Sequence, residues 1–300
     1  MIVRPRRSAL YVPGSNPRAL AKSRTLDADV LIFDLEDAVA PDDKVGAREA
    51  VMRALREGGF GRRECVVRVN EQDTPWGPGD LAAVAEAGPD AILLPKVSRA
   101  GQVTEAARIL DHVAGAERVR LWAMVETPAA VLGIADIARA STDVSSRLDV
   151  LVMGTNDLAK DLRLRVGPGR EPLLVWLASG VAAARCHGLD ILDGVFNGLD
   201  DPAGLAAEAR QGRTYGMDGK TCIHPGQIAA CNEAFSPDPA ELAWARRLVS
   251  AFDAPESAAV NVLRIDGQMV ERLHAEAARG LLAVERMLAE HRAEVASPEL

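Results

Sequence analysis

Aromatic residues are scarce, at 4% of the chain, which excludes broad stacking platforms for sugars or bases. No apolar run approaches the roughly 18 residues needed to span a bilayer. The four cysteines (Cys65, Cys186, Cys222 and Cys231) show no CxxC spacing, so neither a zinc knuckle nor a redox pair is written in the sequence. Cys65 and Cys222 lie in apolar runs and read as small buried hydrophobes. The five histidines are scattered, without HExxH. A basic stripe is also missing. The net charge of −8 argues against a nucleic-acid surface, although local Arg and Lys clusters could still hold a phosphate-bearing ligand. The basic start, Met1 to Arg7, lacks the apolar core and cleavage site of a signal peptide, so a cytoplasmic location is expected.

What is present is a regular alternation. Strand-like apolar runs occur at Ser8–Pro13, Val30–Leu35, Cys65–Val69, Ala91–Pro95, Leu121–Val125, Val150–Met153, Ile191–Phe196 and Gly219–Ile223. Helical composition fills the gaps, as at Pro17–Ser23, Lys44–Arg56 and Glu171–His187. Eight strand signals alternating with helices predict an α/β fold, a TIM (β/α)8 barrel. A doubly wound sheet is the runner-up, but Tyr11-Val12-Pro13-Gly14-Ser15-Asn16-Pro17 carries no GxGxxG after the first strand. No internal repeat or low-complexity linker interrupts the pattern. Beyond Glu233 the pattern changes to a helix through Ala251, an extended stretch Val260–Ile265 and a final helix from about Val270 to His291. The expected organisation is a catalytic barrel over 1–233 and a C-terminal helical extension over 234–300.

Most strands end in polar groups. Asp34, Glu36 and Asp37 follow strand two, Arg68 and Asn70 close strand three, and Lys96 follows strand four. Glu126 follows strand five, Asp157 follows strand six, and His224 follows strand eight. Barrel active sites are built at that end, from residues of several strands. Glu126 and Asp157 together offer anionic oxygen with room for water and substrate, which suits a hard divalent cation. Each alone also reads as an acid at a helix N-terminus.

These residues carry a resemblance. Arg7-Ser8-Ala9-Leu10-Tyr11-Val12-Pro13-Gly14, Asp34-Leu35-Glu36-Asp37-Ala38-Val39 and Val67-Arg68-Val69-Asn70 resemble the citrate lyase beta-subunit-like proteins of the HpcH/HpaI aldolase and CoA-ester lyase group. So do Leu94-Pro95-Lys96, Val125-Glu126-Thr127-Pro128, Gly154-Thr155-Asn156-Asp157-Leu158 and Gly219-Lys220-Thr221-Cys222-Ile223-His224-Pro225. The resemblance implies a TIM barrel, a homotrimer or hexamer, and Mg²⁺ held by Glu126 and Asp157. It further implies reversible cleavage of a citramalyl-, malyl- or citryl-type 3-hydroxyacyl-CoA into an acyl-CoA and a 2-oxo acid. Arg68 matches the arginine that grips the 2-oxo acid carboxylate, a task for a planar fork. Asp34, Glu36 and Asp37 would orient Arg68 and the metal waters. Lys96 would add positive charge for substrate or pair with one of these acids. Arg18 and Lys22, at helical spacing, would meet CoA phosphates or form a solvated face.

The catalytic acid departs from the family pattern. Several CoA lyases of this type supply an aspartate from a Gly-x-Met-x-Asp segment of a neighbouring subunit. Here the segment reads Gly267-Gln268-Met269-Val270-Glu271, with Asp266 just before it. Glu271 would reach about 1.5 Å further than an aspartate, and Asp266 is the second candidate. Two other readings compete with a CoA-ester lyase. One is an aldolase of the same barrel acting on a free hydroxy acid without CoA; the other is a citrate-lyase-type subunit that works only inside a complex.

Overall fold

A computed structural model describes residues 4–257 and 260–296. Met1–Val3 of the basic start, Ala258 and Ala259, and 297–300 lie outside the described residues. The chain divides into two compact units, Arg6–Phe235 and the residues from Ser236 onward with the first five.

In the larger unit eight strands close a parallel barrel in chain order. They are β1 Ser8–Pro13, β2 Val30–Asp34, β3 Glu64–Arg68, β4 Ala91–Leu94, β5 Arg120–Val125, β6 Leu148–Met153, β7 Asp190–Asp193 and β8 Gly219–Cys222. Strand alternation sends one set of side chains inward and the other to the helix layer. The inward set is Ala9, Val30, Ile32, Val66, Ala91, Leu93, Trp122, Met124, Val150, Val152 and Leu192, all buried. The outward set joins the helices in a second, larger core that includes Leu31, Phe33, Val67, Ile92, Leu121 and Ile191.

Charged residues flank the barrel core at both ends. At the N-terminal ends of the strands, Arg6 donates to Glu64 at 2.7 and 2.8 Å, to Asp149 at 2.7 Å and to Asp190 at 2.6 Å. Its guanidinium lies 5.2 Å from the centre of the Trp122 ring. Charge at this face of a barrel serves stability. The C-terminal ends carry the acids, because the inward rows continue past the apolar core into Asp34, Arg68 and Glu126. Register makes Asp34 and Arg68 direct neighbours on β2 and β3.

Helix starts are capped as the sequence dictates. Asn16 caps Pro17–Ser23, with its Oδ1 accepting the N–H groups of Arg18 and Ala19 at 3.1 Å. Thr127 caps Pro128–Leu132, with proline at the first helical position. β7 stops at Asp193, three residues short of the expected Phe196. The chain turns at Gly194, where any Cβ would lie 2.2 Å from Thr155 Oγ1.

The C-terminal unit contains the helix Pro239–Asp253, a hairpin of β9 Val262–Ile265 with β10 Gln268–Glu271, and the helix Arg272–Ala296. Ala245, Leu248, Phe252, Val270, Ala275 and Ala278 form its core. The expectation that a helix begins near Val270 is corrected. Asp266 and Gly267 adopt φ of 51° and 82°, the two-residue turn of a tight hairpin, so Val270 and Glu271 belong to a strand. The Asp-Gly pair is the signal that favours the hairpin. Among the described residues no helix is long and apolar enough to cross a membrane.

Candidate active site

Arg68 organises the mouth of the barrel. Its Nε and Nη2 donate to the two oxygens of Asp34 at 2.7 Å each, a bidentate pair buried on both sides. Asp34 also accepts the N–H groups of Glu36 at 2.9 Å and Ala38 at 3.0 Å, so its acceptor sites are filled. Burial pushes the Asp34 carboxyl up, but Arg68 and the two amides more than offset this and hold it below the usual range. Asp34 therefore orients Arg68. Nη1 of Arg68 is the nitrogen Asp34 leaves; it lies 2.8 Å from Glu36 and 3.4 Å from Asp37. The Glu36 contact lacks hydrogen-bond alignment, and Glu36 Oε2 is buried without a hydrogen-bond partner. Burial raises the Glu36 carboxyl, with Arg68 opposing the shift and Asp37 adding to it. The Tyr11 ring lies below the guanidinium, 4.8 Å away.

Glu126 stands one residue past β5 and is 2% exposed. The helix that follows is capped by Thr127, which removes the capping explanation for Glu126. Its Oε1 accepts the Lys96 N–H at 2.8 Å. Its other side faces Gly154, where a Cβ would lie 2.3 Å from Glu126 Cβ and 2.5 Å from Oε2. Burial pushes the Glu126 carboxyl up to about 8; the Lys96 amide opposes this, Glu36 adds to it, Arg68 opposes it and Asp157 adds to it. Asp157 is half-buried in the first turn of the helix Thr155–Asp161, whose N-cap, Gly154, has no side chain. Among the described residues none donates a hydrogen bond to its carboxylate.

Glu126, Asp157, Arg68, Asp34 and Asp37 line one cavity of about 400 Å³, with Tyr11, Met124, Asn156, Asn197 and Thr221 completing its wall. A larger cavity of about 730 Å³ adjoins it at Thr155, Asn156, Val195 and Asn197, but it lacks the carboxylate pair. Lys96 is outside the acid cavity. Its ammonium pairs with Glu71 at 2.7 Å and Glu36 at 3.5 Å and is held above the usual lysine range, chiefly by Glu71. Arg18 and Lys22 are exposed on the helix Pro17–Ser23 and line neither cavity. His224 Nδ1 accepts the Gly226 N–H at 3.1 Å, a capping role. In the C-terminal unit Asp266 pairs with Arg247 at 2.6 Å, and Glu271 is half-buried at the end of β10.

Tyr11, Met124 and Asn197 were not singled out from the sequence. Period-two alternation places Tyr11 inward at the end of β1 and Met124 two residues before Glu126. Nothing in the sequence marks Asn197. Its side chain donates to Asn156 Oδ1 at 2.8 Å from the loop after β7.

The donor set suits a hard cation. Among the described residues no group of three or more His, Cys, Asp or Glu side chains is placed to hold a metal. Two carboxylates beside an open cavity are what Mg²⁺ commonly takes, with water and substrate filling the other positions. A carboxyl so buried that it keeps its proton to about pH 8 is one that a bound cation would allow to ionise.

Comparison with known proteins now decides the family. The model of the HpcH/HpaI aldolase/citrate lyase family matches residues 7–225. The chain belongs to that family. It is 47% identical over 289 residues to a (3S)-malyl-CoA thioesterase of Cereibacter sphaeroides, covering 96% of this chain and 98% of the relative. It is 35% identical over 273 residues to the citrate lyase subunit beta of Escherichia coli, covering 89% of each. Among solved structures, CitE from Mycobacterium tuberculosis in complex with magnesium, acetoacetate and coenzyme A aligns with a TM-score of 0.74 and 30% identity. That alignment covers 95% of this chain and 99% of the other. The citrate lyase beta-like resemblance and the TIM-barrel expectation are thus met, and this is a chain of an enzyme family.

Proposed function

We propose that this chain binds Mg²⁺ through Glu126 and Asp157 and hydrolyses a malyl-type CoA thioester to the free hydroxy acid and CoA. The observation that carries the reading is the buried Glu126 beside Asp157 at the mouth of a charged cavity. The full-length likeness to a malyl-CoA thioesterase supports the choice of hydrolysis.

When bound, Mg²⁺ supplies Lewis-acid polarisation of a substrate oxygen and lowers the pKa of a coordinated water. Glu126 and Asp157 hold it and set which side of the cavity is positive. Arg68 places a permanent charge among acids, and its Nη1, which meets Glu36 and Asp37 and not Asp34, is the nitrogen that would turn to a substrate carboxylate. A bidentate grip would require Asp34 to let go, so the contact through Arg68 is single-nitrogen. Tyr11 and Met124 form an apolar wall that limits water. Glu271 of a neighbouring subunit would serve as proton acceptor, since Asp266 of the same segment is paired with Arg247. Water attacks the thioester carbonyl, the carbon–sulfur bond breaks, and the departing thiolate takes a proton. CoA phosphates reach the exposed Arg18 and Lys22, and the active form is a homo-oligomer.

A second reading is cleavage of the carbon–carbon bond to an acyl-CoA and a 2-oxo acid, favoured by the likeness to citrate lyase subunit beta. One assay separates the two. Purified chain with malyl-CoA and Mg²⁺ should release free thiol, in a reaction abolished by EDTA and by Glu126→Gln. Formation of acetyl-CoA and glyoxylate without thiol would favour the second reading. No reaction of the isolated chain with a free CoA ester would favour a subunit that needs partners.

A further inference from the structure

Lys96 adopts φ of 47°, a left-handed conformation that a lysine seldom holds. It follows β4 through Leu94-Pro95, and the turn built around it places its N–H on Glu126 Oε1 at 2.8 Å. Gly154 closes the opposite side of the same carboxylate, leaving no room for a Cβ. Glu126 is thus held between an amide donor and a glycine, with Oε1 engaged and no hydrogen-bond donor on Oε2 among the described residues. The Lys96 side chain does not face the acid cavity. It lines a separate one with Glu71, Arg99 and Thr127, and its ammonium bridges Glu71 and Glu36. Its carbonyl accepts the Ser98 hydroxyl at 3.2 Å, which adds a further tie to the turn.

We infer that Lys96 is a positioning residue that acts through its backbone amide, fixing the rotamer in which Glu126 offers its other oxygen to a divalent cation. This rests on the metal-binding reading above. Of the two expectations for the Lys96 side chain, its ion pairs with Glu71 and Glu36 fit the pairing one. Electrostatics and positioning predict opposite signs, which makes the inference testable. Removing a positive charge near a cation site should by itself tighten Mg²⁺ binding. Displacing the amide should weaken it.

The experiment is a calorimetric Mg²⁺ titration of full-length wild type, Lys96→Asn and Lys96→Val, with thermal melts alongside. Asparagine tolerates the left-handed region and valine resists it, while both lack the ammonium. Lys96→Asn should bind Mg²⁺ within about threefold of wild type, and Lys96→Val about tenfold more weakly. Where Lys96→Val does not fold, Lys96→Ala takes its place, with an expected loss of a few fold. Equal affinities of Lys96→Asn and the second variant, both tight or both weak, would overturn the inference. Glu126→Gln serves as control. Wild-type affinity in Glu126→Gln, or no binding by wild type, would overturn the metal reading itself and this inference with it.

Discussion

Gly154→Ala displaces a proposed metal ligand without altering its charge. Gly154 has φ of −90° and ψ of 75°, so alanine meets no left-handed penalty there. The cost is steric. A Cβ at this position would lie 2.3 Å from Glu126 Cβ and 2.5 Å from Oε2, where ordinary contact begins near 3.4 Å. Glu126 must therefore retreat by about an ångström, whereas metal–ligand distances hold to within about 0.2 Å. The expected result is a loss of about 10- to 100-fold in Mg²⁺ affinity, the range seen when the support of a ligand is removed. Calorimetric titration measures it, and a thermal melt checks that the barrel remains folded. In a Glu126→Gln background the added alanine should change Mg²⁺ binding little, because the ligand it displaces is already neutral. A folded Gly154→Ala protein that binds Mg²⁺ like wild type would refute the reasoning.

Three further outcomes follow from the same geometry. In metal-free protein Glu126, raised by burial, keeps its proton to about pH 8, against 4.5 for the ordinary group. Between those values the folded state holds the extra proton, so stability from this group is lost as pH rises, by an amount on the order of a few kcal/mol. Melts across pH should then show Glu126→Gln gaining on wild type toward pH 8, and a difference independent of pH would count against the burial argument. Arg68→Ala leaves Asp34 buried without its cation and should destabilise the chain by about 3–5 kcal/mol in urea unfolding, more than Asp34→Asn with Arg68→Met combined. Glu271→Gln should lower kcat by about 10² to 10⁴ while Mg²⁺ affinity stays unchanged, and near-normal kcat would remove Glu271 from the mechanism.

The fold was legible because the parallel barrel repeats its signal eight times. Even β4, four residues long, is bracketed by helices that confirm it. The acids were legible for a related reason: Glu126 and Asp157 interrupt apolar runs at the one place where packing does not call for charge. What stayed hidden depends on backbone direction and on pairs distant in sequence. The bidentate partner of Arg68 is Asp34, 34 positions earlier, and only register makes the two neighbours. Lys96 read as a pocket charge or a partner of the acids, and it does pair with Glu36 and Glu71, but composition says nothing about its left-handed φ. Cys222 and Cys231 lie nine positions apart, yet their sulfurs are 3.5 Å apart across the strand–helix interface. The extended stretch that becomes β9 was legible, but β10 was missed because the Asp266-Gly267 turn was weighed for its carboxylate and not for its shape.

The central claim is hydrolysis at an Mg²⁺ site made by Glu126 and Asp157, and product analysis in ¹⁸O-water tests it most directly. Purified chain with (3S)-malyl-CoA and Mg²⁺ should yield CoA and malate carrying one ¹⁸O in the carboxylate released from the thioester. Neither Glu126→Gln nor Asp157→Asn should form this product. Stoichiometric acetyl-CoA and glyoxylate with unlabelled or absent malate, or wild-type turnover in either variant, would contradict it.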